Sequence, residues 1–224
     1  MNIQDRNVGN LGDIVKHAAL VELAALLRAR NPGLVRHVET HCFRLVAPLP
    51  DPQGWAANAE RGSERYRRAE LDWVARGRYR CSAGLAADTL GPPVELLLAE
   101  AHAETRAALS AALAEERLRA TVVDDAHHLP TPSAAVPTLV HVDPFDHPAG
   151  YWPVVERVIT SGDTVVLAFA YDKVGPISWP VAPGGLQPLG RLDAGRYGLA
   201  AWASSEIAGP ARNVLAGLGW ADAI

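Results

Sequence analysis

Short, near-continuous apolar runs that alternate with helical patterns constrain the fold of this chain more than any other feature. Residues 94–99 (VELLLA), 138–142 (TLVHV) and 164–170 (TVVLAFA) are almost wholly apolar. Runs of that kind are buried on both faces, as in a mostly parallel sheet covered by helices. Residues 34–39 and 120–123 read the same way, and 187–193 and 198–205 add two candidate strands. Between them lie predicted helices at about 13–30, 103–116, 149–161 and 209–218. The first carries a broad stripe of Ile14, Val15, Ala18, Leu20, Val21, Leu23, Leu26 and Leu27, and Asn31-Pro32-Gly33 stops it. The expected fold is one α/β domain over residues 1–224, a mostly parallel sheet with helices on both faces.

Ligands of such sheets bind beyond the C-terminal strand ends. Four successive predicted strands end in acids here: Glu39, Glu100, Asp124 with Asp125, and Asp143. Together they are expected to line one sheet edge and to bind hydroxyls or amines. For any one of them, capping of the following helix is the competing role.

The opening stretch Gly9-Asn10-Leu11-Gly12-Asp13-Ile14-Val15-Lys16-His17-Ala18 packs a turn, a cap and two basic side chains into one helix start. Asn10 or Gly12 is expected to take the unusual turn angles, and Asp13 to cap the helix or sit in its first turn. Lys16 and His17 follow one turn in. This is either a place to hold an anion or carboxylate or an ordinary capped helix.

Residues 48–80 break the alternation. They open with Pro48, Pro50 and Pro52 and continue as an arginine-rich helical stretch at about 60–76, which marks an insertion. Arg61, Arg65, Arg67, Arg68, Arg76, Arg78 and Arg80 are interleaved with Tyr66, Trp73 and Tyr79, a mixture suited to phosphate contact and base stacking. Glu64, Glu70 and Asp72 in the same segment allow the alternative of a solvated face of ion pairs.

The formal net charge of −4 argues against a broad nucleic-acid footprint. No apolar run is long enough to span a membrane, and Met1 to Arg6 lack the pattern of a signal peptide, so a cytoplasmic location is expected. The two cysteines, Cys42 and Cys81, are expected as free thiols. His127, His128, His141, Asp143 and His147 fit no standard zinc spacing, so no metal site is expected.

The order of these pieces resembles the bacterial 23S ribosomal RNA adenine-N6 methyltransferases of the RlmJ type, over most of the chain. The family's opening Gly-Asn-x-x-Asp-x-x-Lys-His is matched by Gly9, Asn10, Asp13, Lys16 and His17. Glu39-Thr40-His41 matches the end of its first strand, Glu100 and His102 the end of its second, and Asp124 its third-strand acid. Asp143-Pro144-Phe145-Asp146 stands where the family has Asp-Pro-Pro-Tyr. The resemblance implies a Rossmann-like class I methyltransferase sheet with a small helical insertion and S-adenosylmethionine as cofactor. It implies cofactor binding by Lys16, His17, His41, Glu100, Asp124 and Asp125, and catalysis around Asp143, Pro144 and Phe145. RNA would be the acceptor, contacted by Arg65 and Arg68, with Phe145 or Tyr151 able to stand in for the missing stacking ring.

Two departures bear on function. The family's glycine-rich loop after Thr-His is replaced by Cys42-Phe43-Arg44-Leu45. Phe43 and Leu45 are expected to put bulk where the cofactor's ribose or amino-acid part lies. Asp146 takes the place of the stacking aromatic, and base stacking is worth roughly 1–3 kcal/mol. These departures leave two other readings open: a methyltransferase-fold enzyme acting on a small molecule, with or without methyl transfer, and a non-catalytic binding module.

Overall fold

A computed structural model describes residues 8–132, 135–144, 148–159, 162–171, 179, 182–194 and 197–221. Helix α1 (Leu11–Arg30) leads into β1 (Val35–Glu39). The insertion then contains β2 (Val46–Pro48), α2 (Pro52–Asn58), α3 (Glu64–Val74) and β3 (Arg78–Arg80). After α4 (Ser82–Leu90) the alternation resumes with β4 (Val94–Ala99), α5 (Ala103–Glu115), β5 (Ala120–Val123), β6 (Thr138–Val142), α6 (Trp152–Val158) and β7 (Thr164–Tyr171). The chain closes with β8 (Gln187–Ala194), β9 (Tyr197–Ala203) and α7 (Ser205–Ala216).

Seven strands form one sheet in the order β5-β4-β1-β6-β7-β9-β8. β1 pairs in parallel with β4 on one side and β6 on the other, and β9 runs antiparallel to β7 and β8. The chain therefore winds outward from β1 to β5, returns, and continues from β6. This reversal leaves a crevice beyond the C-terminal ends of β1 and β6, where open α/β sheets bind ligands.

The strands bury both faces. In β4, Leu96 and Leu98 join the core formed with α1, α4, α5 and α7, while Leu97 and Ala99 turn to the opposite core with α6. That two-sided burial is why these segments read as unbroken apolar runs.

The strand predictions match closely, and three helical predictions are corrected. The helix expected at 149–161 is a short 3-10 turn, Pro148–Tyr151, followed by α6, and the last helix begins at Ser205. The insertion's main helix is confined to Glu64–Val74, because Ser63 caps its start by accepting from the Tyr66 N–H. The segment read as an insertion at 48–80 is flanked by β2 and β3, which pair as an antiparallel ribbon between Val46–Pro48 and Arg78–Arg80. The Pro/Gly-rich stretch at 176–190 reads in the sequence as a loop; its residues 187–190 belong to β8, and 176–178 with 180–181 lie outside the described residues.

The turn before α1 is made by Gly9, at φ +75°, rather than by Asn10 or Gly12. A Cβ on Gly9 would lie 2.6 Å from Leu49 and 3.6 Å from Trp55 and Tyr79, so this glycine also lets the insertion close over the helix start. Asn10 is the cap, accepting from the Asp13 N–H at 3.0 Å. Asp13 sits in the first turn and accepts from the Gly9 N–H at 3.0 Å. The Gly9 and Asp13 donors at the helix start are thus met within the chain.

Candidate active site

A cavity of about 340 Å³ opens at the sheet's switch point. Its wall includes Lys16, His17, His41, Glu100, Asp124, Asp125, Asp143, Pro144 and Tyr151. Every described residue expected at the catalytic and cofactor positions thus lines one space. Phe145, Asp146 and His147 lie outside the described residues.

Lys16 sits between two carboxylates. Its ammonium is 3.0 Å from Asp13 Oδ1 and donates to Asp143 Oδ2. Burial alone would lower its pKa, but Asp143 and Asp13 together hold it above the ordinary lysine range. Lys16 is therefore a fixed cation that clamps Asp143 at the end of β6. Asp143 Oδ1 has no partner among the described residues and is left to accept from a ligand. The same ammonium lies 5.1 Å from the centre of the Phe169 ring.

His17 is nearly fully buried, and its Nδ1 is 2.8 Å from the Tyr79 hydroxyl. Burial first, then the neighbouring Lys16 charge, pushes its pKa well below the usual value, so the ring is neutral at pH 7. Across the cavity, Glu100 Oε1 accepts from the His102 N–H at 2.6 Å. Its Oε2 has no partner among the described residues, and burial raises its pKa. Asp125 Oδ1 accepts from the His127 N–H at 2.8 Å, and exposed Asp124 pairs with His128 at 2.8 Å. That hydrogen bond lowers the pKa of Asp124 and raises that of His128. Tyr151 packs edge-on against His41, with ring centres 4.3 Å apart.

Glu39 departs from the expected row of acids. In the β1–β6 register it stands beside His141, and His37 shares its face two residues earlier. It is fully buried, 3.2 Å from His37 Nε2 and 3.3 Å from His141 Nδ1, and it accepts from the Ser82 hydroxyl. Burial opposes its charge, but the neighbouring His141 and His37 prevail and lower its pKa. Glu39 stabilises the floor beneath the cavity and does not line it.

The substituted loop is also corrected. The Cys42 N–H donates to the Ala99 carbonyl at 2.7 Å, which ties the loop to the end of β4. Cys42 and Leu45 then turn into the core, at 2% and 1% exposure. Leu45 therefore places no bulk in the cavity, whereas Phe43, stacked under the Arg44 guanidinium 5.0 Å away, lines it together with Cys42. Both cysteines are free and buried.

Arg65 and Arg68 are not brought to the cavity. They lie on the exposed outer face of α3, where Arg65 pairs with Glu22 at 3.2 Å and Arg68 with Glu64 one turn earlier. Arg80 is buried and cross-links β3 to Asp88 and Glu116 at 2.7–2.9 Å. Much of the insertion's charge is therefore spent within the protein.

Two groups at the cavity were not anticipated. Ser82 begins α4, lines the cavity and donates to Glu39, a contact that depends on the turn from β3. Phe169, Tyr171 and Tyr197 form an aromatic wall, with Tyr171 and Tyr197 edge-to-face at 4.7 Å. Tyr171 and Tyr197 pair across β7 and β9, a register that the sequence did not disclose. Among the described residues no group of three metal-ligating side chains converges.

No family model matches the chain, and no curated protein matches it in sequence. Among solved structures it is similar to protein LPL1258 from Legionella pneumophila, of the DUF519 family. That match has 17% identity and a TM-score of 0.57 over 94% of this chain and 92% of the other. A SAM-dependent methyltransferase from Aquifex aeolicus matches at 11% identity and TM-score 0.38, over 76% and 81% of the two chains. TYW2 from Pyrococcus horikoshii, in complex with MeSAdo, matches at 11% and 0.44, over 86% and 61%. The sheet order and its antiparallel β9 settle the architecture. The fold is that of the class I methyltransferases. No helix among the described residues is long and apolar enough to cross a membrane.

Proposed function

We propose that the protein is an S-adenosylmethionine-dependent methyltransferase acting on an amino group carried by a planar ring, of the adenine-N6 type that the sequence resembles. The observation that carries this reading is the convergence of Lys16, His17, His41, Glu100, Asp124, Asp125 and Asp143 on one cavity at the switch point. The donor set fits the cofactor. Glu100 Oε2 and the exposed Asp124 are open to ribose and adenine donors, and Lys16 and His17 supply the basic side. When bound, S-adenosylmethionine supplies an electrophilic methyl group.

The chain's own task is alignment, because methyl transfer to a neutral amine needs positioning more than a strong base. Asp143, clamped by Lys16, uses Oδ1 to orient the amine, and the buried Pro144 follows it at the strand end. Tyr171, Tyr197 and Tyr151 offer ring surfaces for the acceptor where Asp146 cannot stack. A second reading, a small-molecule acceptor instead of RNA, is favoured by the outward, acid-paired Arg65 and Arg68.

The test is transfer of labelled methyl from S-adenosylmethionine to 23S rRNA and, separately, to adenine nucleosides. Asp143→Asn should lower turnover at least a hundredfold while its circular dichroism spectrum stays native. Full activity in that variant would remove Asp143 from the mechanism, and labelling of nucleosides alone would establish the small-molecule reading.

A further inference from the structure

A chain of buried hydrogen bonds runs from the insertion into the cavity wall. Trp55 Nε1 donates to the Tyr66 hydroxyl at 3.1 Å. The Tyr66 and Tyr79 hydroxyls are 3.0 Å apart, and Tyr79 reaches His17 Nδ1 at 2.8 Å. Tyr66 and Tyr79 are 0% and 1% exposed, so each phenolic proton needs a protein acceptor.

The protons can be counted. An indole N–H only donates, so Trp55 offers Tyr66 no acceptor. Among the described residues Tyr66 has one other oxygen neighbour, Tyr79, and its proton must go there. The Tyr79 proton then goes on to His17 Nδ1. The reverse order, with His17 Nδ1–H donating to Tyr79 and Tyr79 to Tyr66, strands the Tyr66 proton in the interior. A stranded buried donor costs about 1–3 kcal/mol, enough to select one order.

We propose that Tyr79, whose proton has His17 Nδ1 as its one acceptor, is a positioning residue that holds His17 with its proton on Nε2, so that His17 presents an N–H donor to the cavity. The group seated there is then a hydrogen-bond-accepting oxygen, such as a carboxylate, and not an ammonium or amine donor. The insertion thus sets the chemistry of the opening motif, and Gly9 permits the close packing beside it, since a Cβ there would meet Leu49 at 2.6 Å.

Nitrogen-15 NMR of the ligand-free protein tests this, with His17 assigned by the signals lost in His17→Gln. The expected spectrum has Nδ1 unprotonated and Nε2 protonated at pH 7. Tyr79→Phe should populate both tautomers and weaken S-adenosylhomocysteine binding about tenfold. Tyr66→Phe should keep the tautomer, because Tyr79 still has His17 as its one acceptor. A protonated Nδ1 in the wild type, an unchanged spectrum in folded Tyr79→Phe, or a changed tautomer in Tyr66→Phe would each overturn the assignment. The tautomer is read without ligand, so it stands or falls apart from the methyltransferase reading, which rests on the titration itself.

Discussion

Replacing Leu45 and Phe43 one at a time separates a core residue from a cavity residue two positions away. Leu45 is 1% exposed and packed in the main core, so Leu45→Ala removes buried methyl groups and leaves a void. Such changes cost about 3 kcal/mol or more, and at ~2–4 °C per kcal/mol for a chain of this size the melting temperature should fall by about 6–12 °C. Affinity for S-adenosylhomocysteine, measured well below the melting point, should not change, because Leu45 does not reach the cavity. Phe43 is half-buried and lines a cavity that is open with the ring in place, so it acts as wall and not as plug. Phe43→Ala should cost about 1 kcal/mol of stability. It should weaken S-adenosylhomocysteine binding about tenfold, or about 1.4 kcal/mol. Thermal melting by circular dichroism and calorimetric titration read the two effects. Tighter binding in Phe43→Ala would make the ring an obstruction, and a melting point unmoved in Leu45→Ala would refute the account of the loop.

Glu70 and the outer arginines give two further predictions. Burial pushes the Glu70 carboxyl up to about 8 against an ordinary 4.5, although it accepts from the Arg80 N–H. The folded state therefore favours its protonated form, and the protein should lose stability as pH rises from 4.5 to 8. Glu70→Gln should remove much of that slope and raise stability at pH 7.5 by a few kcal/mol; urea titrations at pH 5 and pH 7.5 check it, and an unchanged slope would contradict it. Arg65→Ala with Arg68→Ala should change stability by less than about 1 kcal/mol, as exposed ion pairs do. Cofactor binding should not change, and a large loss of cofactor affinity in titration would show that α3 reaches the site.

The strands of the parallel sheet were legible because burial on both faces leaves an unbroken apolar run, as in β4 and β7. The edge that lines the cavity was legible for the same reason, since acids such as Glu100 and Asp143 stand out where those runs end. Helix α4 was not, because Ala83, Gly84, Ala86 and Ala87 give a small-residue face with little amphipathic contrast. Side-chain direction was the other gap. Glu39 looked like its neighbours at strand ends, yet the register with His141 turns it under the cavity. Leu45 and Phe43 looked alike as bulk, and only the bond from Cys42 to Ala99 decided which one faces the ligand space.

Calorimetric titration of the purified protein with S-adenosylmethionine and S-adenosylhomocysteine tests the central claim most directly. The account predicts saturable binding of both in the micromolar range, about −8 kcal/mol, lost in a Lys16→Met variant that removes the clamp on Asp143. Absence of binding to either by the folded wild-type protein would contradict the methyltransferase reading.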